Sequence, residues 1–289
     1  MRDGVFKIML YAVSALILLL CAGLLLSLLL GARDVVQAKG FWSFLSSTVW
    51  NPTVGREEYG AMPFIVGTVF TSLLALLLCI PLALAVALLT GYYLLGTRIA
   101  RGITVVIDLL AGIPSIVYGL WGFYALRPII IRLGINQLGL GILTSSLILA
   151  IMIVPYAASL CREFIVMTPR ELAEGAFSLG ATRQETVVKV VLPAVRKGIV
   201  AAFILALGRA LGETMAVTML IGNTNNVPAG LGDTGNTMAS LIANQFGEAS
   251  GLKLSALYAV GLVLFLLTVV INLVARAIMR YLKLSLIHI

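Results

Sequence analysis

Long stretches without a charge constrain this chain more than any other feature. Residues 8–32, 59–97, 109–126, 133–161 and 254–275 contain no Asp, Glu, Lys or Arg. Each reaches the roughly 18–20 residues that a helix needs to cross a hydrocarbon core about 30 Å thick. A sixth apolar run, 199–221, is interrupted by Arg209 and Glu213. Backbone polar groups must be paired inside lipid, and no alternating apolar and polar strands recur, so helices are expected rather than a barrel. The expected fold is an all-α integral membrane protein, one domain over residues 1–289. Its six transmembrane helices are expected near 8–30, 63–90, 103–126, 139–160, 199–221 and 254–275. Only 11% of the 289 residues are charged, against about 25% in a soluble domain. A hydrophobic share of 61% excludes disorder as well. Three cysteines and one histidine leave little for a disulfide framework or a metal site. Cys21 and Cys79 fall in apolar runs and read as reduced, packed thiols. Arg2 and Lys7 before the first run would suit a signal peptide, but the run's length and the missing small-residue cleavage site favour a retained helix.

Basic residues set the expected orientation. With the N-terminus cytoplasmic, 13 Lys and Arg fall on the inner segments and 6 on the outer ones, with Arg209 inside the membrane. Both termini are therefore expected to be cytoplasmic. The net charge of +8 is then mostly topology and contact with anionic lipid, not nucleic-acid binding.

The 161–198 segment carries ten charges and two helix-start signals. Thr168-Pro169-Arg170-Glu171 has the capping-box pattern with Pro at the first helical position, and Thr182-Arg183-Gln184-Glu185 repeats the box. Leu172, Ala173, Ala176 and Phe177 share one face, Gly180 supplies a left-handed stop, and Pro193 closes the second helix. Two short amphipathic helices hinged at a glycine are expected. Periodicity alone leaves two uses open: a passive anchor on the lipid surface, or a helix docked in a partner's groove.

Arg209 lies ten residues past Ile199, about 15 Å along the fifth span and near the midplane. Burial of an Arg there costs about 2.5–3.5 kcal/mol on insertion scales. Glu213 follows one turn later on the same expected face, beside a small-residue row of Gly208, Gly212 and Ala216. A self-neutralising structural pair is one reading. A charged face on a translocation pathway is the stronger one, since an apolar pair would pack without the desolvation cost.

These segments resemble a known family. Glu174-Gly175-Ala176, Gly180 six residues after the Glu, and Val190, Leu192 and Pro193 are similar to the EAA loop of ABC-importer permeases. Gly175 stands where Ala is usual, which loosens that turn by about 1 kcal/mol. Ala111–Gly122, with Ile113-Pro114-Ser115, the Gly208–Val217 segment and Met238–Asn244 resemble the phosphate-permease branch of that family, the PstC-type subunits, in the same order along the chain. The resemblance implies a type I importer permease core in a bacterial plasma (inner) membrane. It makes 161–198 the coupling loop to an ATPase subunit, and it implies a sister permease subunit (PstA-type), an ATP-binding subunit dimer (PstB-type) and an extracytoplasmic phosphate-binding protein (PstS-type). Arg209 is then expected to be a transient anion contact and Glu213 its modulator. A sister permease or one for sulfate or molybdate is the nearest alternative. A secondary transporter or channel would fit the composition, but no inverted repeat appears in the two halves. An intramembrane enzyme lacks a motif, and with no phosphate-binding loop in the chain ATP must be used by a partner, with no cofactor bound here.

Four features carry weaker expectations. Asp108, two turns after Arg101, reads as a water-facing or paired carboxylate, and Pro114 as a kink. The Gly- and Asn-rich 222–237 loop reads as a flexible connection. Residues 31–61 are expected to hold an interfacial helix with Phe41, Trp42 and Phe44 at headgroup level. Leu284–Ile289, with His288, is assigned no function.

Overall fold

The charge-free runs become helices because nothing in them offers the backbone another partner. The computed structural model describes residues 2–53 and 55–284, with side chains over 6–53 and 55–277; most of the 284–289 tail, His288 included, lies outside them. A peripheral helix α1 (Arg2–Gly31) leads into two short helices, α2 (Arg33–Lys39) and α3 (Phe41–Ser46). A two-residue hairpin pairs β1 (Trp50–Asn51) antiparallel with β2 (Glu58–Tyr59), Trp50 opposite Tyr59. Helix α4 (Met62–Leu88) ends in a π turn, Leu89–Tyr93. Then come α5 (Arg98–Ala111), α6 (Ser115–Trp121), a π turn at Gly122–Leu126, α7 (Arg127–Arg132) and α8 (Ile142–Val166). Helices α9 (Arg170–Ser178) and α10 (Arg183–Thr186) precede a π turn, Val187–Val191, that runs into α11 (Leu192–Leu211). Short helices α12 (Met215–Leu220) and α13 (Met238–Gln245) and a 3-10 turn at Phe246–Glu248 lead to α14 (Gly251–Leu284).

Five of these helical stretches are long and apolar enough to span a membrane, and a sixth span exists if the bent pair 98–111 and 115–132 counts as one. The third expected span is therefore not a kinked rod. It turns by 95° at Gly112–Pro114. Pro114 cannot donate to the ladder and biases Ile113 away from the helical region. The Tyr118 hydroxyl donates at 2.8 Å to the Leu110 carbonyl, which also accepts from the Ile113 N–H at 3.2 Å, and this holds the bend.

The central core is a seam of small residues. Ala75, Cys79, Ala83 and Ala87 recur every four residues on α4 and are fully buried, chiefly against α8. Ala202, Ala206 and Ala210 repeat the spacing on α11. Lipid gives helices no hydrophobic drive to associate, so close backbone approach and dispersion must hold such a seam. Cys21, unlike Cys79, is exposed, on α1. That helix touches the rest near its end, where Gly31 sits under the Tyr258 ring, while Phe6 to Leu20 stay bare.

A second core caps one end of the bundle. Phe44, Tyr59 and Phe64 are fully buried there with Met238, Leu241 and Val260. Trp50 packs edge-on against Tyr59 and Phe64 at 4.9 and 5.1 Å and donates through its indole N–H to Gln245 Oε1 at 3.3 Å. Of the aromatics expected at headgroup level, Trp42 is 80% exposed, Phe41 is half-buried and Phe44 is core. The 222–237 loop is likewise pinned rather than free. Ile142 and Leu143 donate to the carbonyls of Asp233 and Leu231, and Asp233 Oδ2 accepts from the backbone of Ala229 and Gly230. A Cβ added at Gly67 would lie 2.0 Å from the Asn236 carbonyl oxygen, where only backbone could move. Gly67→Ala should therefore destabilise by about 3 kcal/mol, the upper end for overpacking, seen as a lower thermal-aggregation midpoint in detergent.

Candidate functional site

The fifth span also differs from the expected rod, and the difference makes the site. Helix α11 stops at Leu211, with Gly212 as its C-cap, and α12 starts at Met215. Arg209 thus stands on the last turn before a break in the span and Glu213 within the break, instead of the two stacking along one helix face. No Arg209–Glu213 ion pair forms. Glu213 Oε1 accepts from the Ala216 N–H at 3.3 Å and so satisfies an orphan donor of α12. The exposed Arg209 guanidinium lies over the Tyr156 ring, 5.7 Å from its centroid. It also lies near enough to Tyr118 for its charge to act there.

Two broken spans therefore meet beside one cation. Helices α6 and α12 pack closely, because a Cβ on Gly119 would come within 3.0 Å of the Ala216 backbone and 2.9 Å of Met219 Sδ. Ala216 is spent on this contact, so the expected small-residue row splits: Gly208 has nothing within 4 Å of a would-be Cβ, and Gly212 meets only its own helix. Past α12, Ser240 and Asn244 both donate to Asn223 Oδ1, at 3.0 and 3.1 Å, and Asn223 Nδ2 donates to the Thr218 carbonyl at 2.8 Å. Asn223 is the sole non-glycine residue with positive φ (52°) among those described. A short amide side chain tolerates that conformation, and here it ties α12 to α13.

The opposite end of the bundle carries α9 and α10. Gly180 takes φ +85° between them, as its place in the sequence requires. The second capping box forms in full, Thr182 and Glu185 each capping the other's backbone N–H. The first does not: Pro169 is the cap residue, and the buried Thr168 hydroxyl has no partner. Pro193 does not end the second helix. The π turn at 187–191 widens the coil, so the proline ring avoids the carbonyl it would strike and the chain runs on into α11. Val190 therefore lies on that π turn, and Leu192 and Pro193 open the fifth span. Glu174, with Tyr92, Arg170, Phe177 and Arg183, lines a cleft of about 520 Å³ beneath α9. Gly175 meets nothing within 4 Å, Ala176 is half-buried, and no residue of α9 is buried. Leu179, just past it, is 90% exposed.

Residues 80–287 match the family model described as the binding-protein-dependent transport system inner membrane component. The chain is 40% identical over 296 residues to the phosphate transport system permease protein PstC of Mesorhizobium japonicum, covering 96% of this chain and 89% of that one. This chain belongs to the PstC family of ABC-transporter permeases. A second relative, the PstC protein of Xylella fastidiosa strain Temecula1, is 40% identical over 294 residues, covering 95% of this chain and 89% of its own. Among solved structures, an inward-facing MetNI methionine ABC transporter matches with a TM-score of 0.60 at 19% identity, over 77% of this chain and 97% of that one. That likeness speaks for the fold alone.

The permease is a multi-pass membrane protein, and its site holds two residues that the sequence reading passed over. Tyr118 and Tyr156 lie in charge-free runs and look there like ordinary apolar filling. A tyrosine inside a span carries one signal, since its hydroxyl and ring face both have polar uses. Asp108 is exposed on α5 and pairs with no cation among the described residues, Arg101 included.

Proposed function

We propose that this chain is a non-catalytic membrane-spanning subunit of an ATP-driven importer that carries inorganic phosphate to the cytoplasm. The observation behind the substrate path is the open Arg209 fork at the meeting of two broken spans. A tetrahedral oxyanion leaving water needs strong donors, and a planar guanidinium presents two in parallel. Discontinuous spans are where membrane proteins expose polar groups at depth. Glu213, engaged with α12, stands within the break, where it disfavours a second anion and limits how long the first is held. The α9–α10 end is cytoplasmic and the capped end faces the binding protein, as the bias of basic residues favours. Glu174, Gly175, Ala176, Gly180, Val190, Leu192 and Pro193 form the coupling element for an ATP-binding subunit dimer (PstB-type). A sister permease (PstA-type) and an extracytoplasmic phosphate-binding protein (PstS-type) complete the complex, which lies in a bacterial inner membrane. Both termini of this chain are cytoplasmic. ATP is used by the partner, and this chain holds no cofactor.

The test is reconstitution of the complex in proteoliposomes. Phosphate-loaded binding protein should stimulate ATP hydrolysis and phosphate entry, and sulfate or molybdate should do neither. Stimulation by sulfate or molybdate in place of phosphate would reassign the substrate.

A further inference from the structure

We infer that Tyr156 is a positioning residue of the oxyanion path, holding the Arg209 guanidinium by the face of its ring. The inference rests on Arg209 being the anion contact and adds what holds it. The expected holder, Glu213, is turned to the Ala216 N–H. Among the described residues no carboxylate pairs with Arg209, and what faces its charged end is the Tyr156 ring at 5.7 Å. This choice of partner has a chemical consequence. A carboxylate would occupy the same N–H fork that an oxyanion needs, whereas an aromatic ring attracts the guanidinium through its π face and leaves the edge donors free. The attraction is also weak enough that a bound anion can draw the head away as the path opens.

The ring is itself firmly placed. Tyr156 follows Pro155 in α8, whose neighbouring residues Ile153, Ala157 and Ala158 are buried in the central core. Tyr156 is only half-buried, with its ring toward the break in the fifth span. Arg209 sits two residues before the end of α11, where the chain is about to leave helical geometry. A rigid ring on a core helix thus orients a cation on a helix end.

The experiment measures phosphate entry into proteoliposomes holding the whole complex with saturating loaded binding protein. Tyr156→Leu should lower the entry rate about 2- to 30-fold, the range expected for a lost cation–π contact. Tyr156→Phe should restore most of the rate, because the face survives without the hydroxyl. If the Leu variant fails to assemble, Tyr156→Met supplies a flexible side chain of similar reach without a π face and should show the same loss. Wild-type entry in the Leu or Met variant would overturn the inference, and so would a Phe variant as impaired as Leu, which would shift the role to the hydroxyl or to packing. Arg209→Gln in parallel separates the two claims. Full entry in that variant sinks the anion path itself, while lost entry there with full entry in Tyr156→Leu sinks only the positioning role.

Discussion

Replacing Arg209 by Gln is expected to lower phosphate entry about 10- to 150-fold in membranes where the complex still assembles. Gln keeps a polar head with two N–H donors but is about two bonds shorter and loses the charge and the second parallel arm. Hydrogen bonds to a charged partner contribute about 1.5–3 kcal/mol each, and a single lost contact of that size accounts for the range. The fold should survive, because Arg209 is exposed, pairs with no carboxylate among the described residues and leaves no buried carboxylate orphaned when it goes. Arg209→Lys should fall between the two, since an ammonium keeps the charge but not the planar fork. Entry at the wild-type rate with Gln would remove Arg209 from the path. The Glu213 carboxylate allows a contrast. Glu213→Gln keeps an acceptor for the Ala216 N–H, so it should leave α12 in place and alter only how long the anion is held.

The spans were legible where one physical rule decides them. A run such as 62–88 or 142–161 carries no charged side chain and must pair its backbone within a helix in lipid. The two breaks were harder to see. Hydropathy averages over a window and cannot register that Gly112-Ile113-Pro114 turns the chain by 95°. Nor can it register that Gly212-Glu213-Thr214 ends one helix and starts another. Those turns depend on partners elsewhere, such as the Tyr118 hydroxyl on Leu110 and Ala216 against Gly119. The capped end was invisible for the same reason. Its ties join Val35 to Ser255 and Trp50 to Gln245, about two hundred residues apart. Local signals did read the Gly180 hinge and the Thr182–Glu185 box, because both are satisfied within a few residues. The Thr168 box failed because Pro169 itself took the cap position.

Leu179→Asp should uncouple the permease from ATP hydrolysis while leaving the chain folded. Leu179 is 90% exposed, and α9 buries none of its residues against the rest of the chain. Exposed surface substitutions usually change stability by about 0.5 kcal/mol or less, so the isolated permease should purify with an unchanged melting profile. In the complex the same side chain would be buried against the ATP-binding subunit. A carboxylate forced into an apolar contact costs far more than the lost leucine gained, because it must be desolvated without a partner. Phosphate entry and stimulated ATP hydrolysis should therefore fall together by at least about tenfold, and the ATP-binding subunit should co-purify weakly. A lipid-anchoring role for α9 gives a different pattern: the subunit would still co-purify, and the defect would depend on lipid composition. Leu179→Met separates the two further. It keeps apolar bulk for a protein groove and should retain coupling, since volume-conserving apolar exchanges cost little.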